Sequence, residues 1–122
     1  MKKSLILIAA AAAFTSTAWA DCNYPKAPAK IPDGNTAPRE ELLAAKKQVD
    51  QYNADMNTYL DCLKKEYDAS VAKGGSSLTE QQKQQMAAMY TQKNDAAIDE
   101  LTTVANRFNE QVRAYKAKNE SK

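Results

Sequence analysis

The sequence contains no histidine. That removes the usual general base at neutral pH, the commonest zinc ligand and every histidine-dependent triad. Glycine is scarce: Gly34, Gly74 and Gly75 are all there is, and their spacing makes no phosphate-cradling loop. Cysteine is limited to Cys22 and Cys62, which do not form the C-x-x-C pattern of a redox dithiol. Tryptophan occurs once, as Trp19, and phenylalanine twice. The carboxylate pairs Glu40/Glu41 and Asp99/Glu100 fit a helix start and a solvated face, because nothing on an exposed helix lifts a carboxyl into the range for acid–base work. Together these absences point away from an enzyme. They imply no catalytic residue, no cofactor and no metal site.

What is present begins with a leader. Lys2 and Lys3 are followed by an apolar run from Leu5 to Phe14, too short to span a bilayer. Ala18-Trp19-Ala20 is an A-x-A cleavage pattern, so residues 1–20 are expected to be a signal peptide cut between Ala20 and Asp21. A lipid-modified Cys22 would want a small residue before it, and Asp21 stands there instead.

Removing the leader changes the chemistry of what remains. The leader holds two of the 17 basic residues and none of the 15 acidic ones, so the processed chain is electrically neutral. It has no global attraction to nucleic acid. It also loses Trp19 and Phe14, and much of its remaining apolar content is alanine. Such bulk is thin for a sphere and sufficient for an elongated helical object. No later apolar run approaches 18 residues, so no stable membrane insertion is expected after cleavage.

Residues 21–36 carry Pro25, Pro28 and Pro32 and then Asp33-Gly34-Asn35. Prolines at this spacing favour an extended, polyproline-like path, closed by a turn at Asp-Gly. Residues 37–122 should form a helical hairpin. Helix 1 is expected over about 38–73, with Pro38 at its first position and Glu40 and Glu41 in its first turn. Its apolar stripe is Leu42, Ala45, Val49, Tyr52, Met56, Tyr59, Leu63 and Tyr67, at alternating steps of three and four. Gly74-Gly75 should end it.

Helix 2 is expected over about 79–118. Thr79-Glu80-Gln81-Gln82 fits a capping box. Its stripe is Met86, Tyr90, Ala97, Leu101, Val104, Phe108, Val112 and Tyr115. The fold class is therefore all-α: an antiparallel, coiled-coil-like two-helix hairpin with an extended N-terminal strap.

In an exported chain, two cysteines are best read as one disulfide, and within a monomer it must join Cys22 to Cys62. An intermolecular bridge is the competing assignment. The reach is adequate. Cys62 lies about 36 Å along helix 1 from Pro38, and the strap spans up to about 50 Å if extended. At about 100° per residue, Cys62 sits on the flank of the stripe, where Tyr24, Ala27 and Ile31 are available to cover the helix.

Ile98 and Ala105 widen the helix 2 stripe on one side, and with Val112 they form a candidate interaction face. Either the strap or a second hairpin can cover it, the latter giving a homodimer. Another envelope protein is the other expected partner.

Two resemblances follow from these residues. Cys22, the Pro25/Pro28/Pro32 run, Asp33-Gly34, Tyr59-Leu60-x-Cys62, and Phe108-Asn109 before Tyr115-Lys116 resemble small exported proteobacterial proteins of unknown function. That likeness implies the periplasm of a Gram-negative bacterium, or secretion, and carries no activity. Leu78-Thr79-Glu80-Gln81-Gln82 is similar to the LTxxQ motif of Spy/CpxP-type periplasmic chaperones, which are helical, dimeric and shield unfolded clients. The motif occurs here once where that family typically has two copies, and the cysteine strap is foreign to it. The expected role is a non-enzymatic interaction or structural protein of the envelope. A periplasmic chaperone is the alternative.

Overall fold

The computed structural model describes residues 22–120. The expected leader and the Ala20–Asp21 junction lie outside the described residues, as do residues 121 and 122. Two long helices dominate: α1, Arg39–Gly74, and α2, Glu80–Glu120, joined by a 3₁₀ turn at Gly75–Ser77. They pack against each other as an all-α hairpin, with no strand among the described residues.

Pro38 sits one position outside the expectation. It is the cap residue, with φ −71° and ψ 162°, and its carbonyl accepts from the Glu41 N–H at 3.1 Å. The missing proline N–H costs nothing there. Glu40 and Glu41 occupy the first turn of α1, where the helix dipole favours them. At the other end Gly75 turns to φ 47°, the left-handed region that glycine enters without penalty, and α1 stops.

The start of α2 is a reciprocal capping box. Gln82 N donates to Thr79 Oγ1 at 3.1 Å, and Thr79 N donates to Gln82 Oε1 at 2.9 Å. Both groups would otherwise be orphan donors.

The core is a single seam. Ala45, Val49, Tyr52, Met56, Tyr59 and Leu63 of α1 meet Ala97, Val104 and Phe108 of α2. Met56 and Ala97 are completely buried at its centre. A small alanine in the seam lets the helices approach, and a flexible thioether fills irregular space within it. Outside the seam α1 is polar, with Lys46–Asp50, Asp61–Lys65 and Lys64–Asp68 paired at i,i+4. Such exposed pairs are screened by solvent and add little to stability.

The strap is the third structural element. It lies antiparallel to α1, in the groove along one flank of the hairpin. Cys22, Ala27 and Ile31 pack against the core cluster from outside. The strap ends in a turn in which the Asp33 carbonyl accepts from Thr36 N and Ala37 N, while its Oδ1 accepts from Asn35 N at 2.9 Å.

The strap was expected to follow helix 1. It also reaches α2: Gly34 N donates to Gln111 Oε1 at 2.8 Å, and a Cβ on Gly34 would lie 1.9 Å from the Gln111 carbonyl oxygen. The fold is therefore a hairpin with one groove filled by extended chain, a more compact object than two helices with a tether.

Candidate functional site

Three features on the hairpin carry chemistry or exposed apolar surface. The first is the staple. Cys22 and Cys62 form a disulfide with Cα atoms 5.7 Å apart, as the reach of the strap predicted. A disulfide of this kind fits an oxidising compartment. The Glu66 carboxylate, one helical turn beyond Cys62, lies within 4.8 Å of both sulfurs. With both sulfurs bonded to each other there is no thiolate to donate, and the group offers a metal a single carboxylate.

The second is a tyrosine–carboxylate cluster beneath the strap. The Tyr24 hydroxyl donates to Glu100 of α2. The Tyr24 ring meets Tyr59 edge to face, with centroids 4.9 Å apart. The Tyr52 hydroxyl is buried and lies near the Glu100 carboxylate without a hydrogen bond of good geometry. Burial pushes its pKa up to about 12, and the charge and hydrogen bonding of the Glu100 carboxylate act in the same direction. Burial also raises Tyr24, helped by its hydrogen bond to Glu100, and raises Tyr59, helped by the Glu66 charge. The phenols are thus poorer acids than free tyrosine. At neutral pH they hold their protons, and Tyr24 donates its own to Glu100. The arrangement ties strap, α1 and α2 together at mid-length.

The third is an open groove near the hairpin tip. Leu63 and Tyr67 of α1 and Met86, Met89 and Tyr90 of α2 line about 290 Å³, with Glu66 and Lys93 at its margins. Tyr67 and Tyr90 stack across the helix pair, centroids 4.9 Å apart and planes 18° from parallel. Met89 is 58% exposed.

The face expected from Ile98, Ala105 and Val112 is divided by the fold. Ile98 is 43% exposed, Ala105 is half-buried, and Val112 is half-buried and packs against the core cluster. The strap does not cover Ile98. It borders α2 at Glu100, Thr103, Arg107 and Gln111. At about 100° per residue these positions and Ile98 lie on opposite sides of Val104. Among the described residues, no helix is long and apolar enough to cross a membrane.

Sequence reasoning did not single out Tyr24–Glu100, Gly34 against Gln111, or the tip groove. Only the groove left a trace in the sequence. Met86, Tyr67 and Tyr90 sit on the two stripes close to the hairpin end, where the strap's attachment at Cys62 already leaves them beyond its reach. Compared with known protein families, curated proteins and solved structures, the chain matches none.

Proposed function

We propose that this chain is a non-enzymatic interaction module of the periplasm, or of the secreted fraction, that presents helix faces to another envelope protein. The observation that carries this reading is the exposure of Met89 and Ile98 on a hairpin whose own seam is already filled. Large apolar side chains left outside a complete core mark surface available to a partner. The disulfide supports an oxidising compartment, and the A-x-A pattern before Asp21 supports export. The absence of histidine and of free cysteine supports a binding role over catalysis.

A photo-crosslinking residue placed at Ile98 or Met89, used in living cells and followed by mass spectrometry, tests the proposal. A reproducible crosslinked protein from either position is expected. Absence of any crosslink from both positions refutes it.

A periplasmic chaperone is the second reading. The two methionines at the groove favour it, because flexible thioethers adapt to varied apolar partners. Near-stoichiometric suppression of aggregation across several unfolded clients is its expected signature, and no suppression removes it.

A further inference from the structure

The strap itself demonstrates what kind of ligand this hairpin accommodates. It is an extended chain with prolines at 25, 28 and 32, seated in the groove between the helices. Its apolar side chains Ala27 and Ile31 reach the core, and its Tyr24 hydroxyl bonds to a carboxylate on the far helix. Proline suits such a seat because it has no N–H to leave unpaired and holds the chain extended before docking.

The groove does not end where the strap ends. The strap is pinned at Cys62, and α1 runs twelve residues further to Gly74, about 18 Å. Over the first part of that stretch, from Leu63 to Ser70, the inter-helix groove continues on the same flank. Glu66 follows Cys62 by one turn, and Lys93 and Met89 extend the line of Glu100 toward the tip. The floor is apolar and aromatic, made by the stacked Tyr67 and Tyr90 with Leu63 and Met86. The disulfide prevents the strap from sliding into it.

We infer that this uncovered stretch is a docking site for an extended, proline-containing apolar segment of a partner protein, bound in line with the strap. This rests on the interaction-module reading above and gives that reading its ligand class. The lined stretch of about 10 Å seats roughly three residues in the polyproline conformation. Aromatic-lined grooves recognise such segments through ring-on-proline contacts, with little ordering entropy to overcome. The Lys93 ammonium and the tyrosine hydroxyls are donors for the carbonyls that a polyproline chain leaves free. An incoming helix fits less well, because the strap already occupies the groove from Cys22 onward and leaves only about two turns of lined length.

The test uses the processed chain, purified from the periplasm of a Gram-negative host, with its methionine methyls labelled for NMR. The probe is a synthetic peptide of the strap's own residues 24–32. A version with alanine in place of each proline and an amphipathic helical peptide serve as controls. The strap peptide should shift the Met86 and Met89 methyls saturably and leave the buried Met56 methyl unmoved. The alanine version should bind more weakly. Met89→Gln, at an exposed position that does not disturb the core, should weaken binding about fivefold.

No saturable shift with the strap peptide overturns the inference, as does tighter binding of the helical peptide. Shifts of the same methyls with protein concentration alone would assign the groove to a second copy of the chain and overturn it equally. In-cell crosslinks from Ile98 combined with no peptide binding would retire this groove and leave the interaction-module reading intact.

Discussion

The hydroxyl of Tyr24 donates to the carboxylate of Glu100, joining the strap to α2 across 76 residues of sequence. This bond and the disulfide act on opposite helices. Cys22 is fixed to α1 through Cys62, and two residues later the strap is fixed to α2. The strap therefore braces the hairpin. Opening the helices apart would require losing the bond to Glu100 or dragging Tyr24 away from Tyr59.

Tyr24→Phe removes that bond and keeps the ring. A hydrogen bond to a charged acceptor contributes about 1.5–3 kcal/mol, and the exposure of Tyr24 places this one below that range, at about 1 kcal/mol. The expected result in urea unfolding is a lower midpoint with an unchanged slope. An unchanged midpoint would mean that water replaces Glu100 at no cost.

The disulfide closes a loop of about 41 residues, worth about 4 kcal/mol through the entropy of the unfolded chain. That is a large share of the 5–15 kcal/mol typical of a whole domain. Replacing Cys22 and Cys62 together by serine should lower stability by about this amount. It should also raise hydrogen exchange over residues 22–37 more than in the centre of α1. Equal exchange increases throughout would show that the strap and hairpin unfold as one unit.

Much of this architecture was legible because it is local. The 3–4 spacing of Leu42 through Leu63 defined α1, and the observed Arg39–Gly74 agrees with the expected 38–73 within a residue. Thr79 and Gln82 specified the start of α2 through side chains that bond within one turn. The disulfide was legible by elimination and reach. The path of the strap across both helices was not, since it depends on Gly34 meeting Gln111 and Tyr24 meeting Glu100, contacts between residues more than 70 positions apart. Neither residue type announces its partner. The side of α2 that the strap would cover was equally hidden, which is why one set of residues, Ile98 to Val112, could not be divided into exposed and packed positions beforehand.

Gly34 is required by proximity and not by its dihedral angles, since Gly75 is the glycine with positive φ among the described residues. A methyl group at position 34 would meet the Gln111 carbonyl oxygen at 1.9 Å and the Tyr115 nitrogen at 2.9 Å. These are helix backbone atoms that cannot rotate away. Gly34→Ala should therefore displace the strap's C-terminal turn and cost about 1–3 kcal/mol, the usual range for overpacking. Faster amide exchange at Thr36 and Ala37, whose N–H groups bond to Asp33, would be the accompanying signature. Native-like exchange there with unchanged stability would show that α2 yields at Gln111.

Tyr52 links burial to alkaline stability. Its hydroxyl is buried beside Glu100 without a well-aligned hydrogen bond, and its pKa rises from 10.0 to about 12, first through burial and then through the charge and hydrogen bonding of the Glu100 carboxylate. A folded-state pKa above the unfolded value means that the native state holds its proton while the unfolded chain releases it. The stabilisation is complete below about pH 10 and is lost as pH rises through about 12. The loss is on the order of 2 kcal/mol for this group. Tyr52→Phe keeps the ring in the seam and removes both the titration and a poorly bonded polar atom. At pH 7 the variant should stay within about 1 kcal/mol of the parent, because the desolvation cost removed with the hydroxyl offsets the loss of its poorly aligned contact with Glu100. Between pH 10 and 12 its stability should fall less steeply than the parent's, with lysine titration common to both and cancelling in the difference. Parallel pH profiles would show that Tyr52 titrates in the folded state as it does in the unfolded chain, and a variant weaker at pH 7 would show that the hydroxyl's contact with Glu100 is a stabilising hydrogen bond.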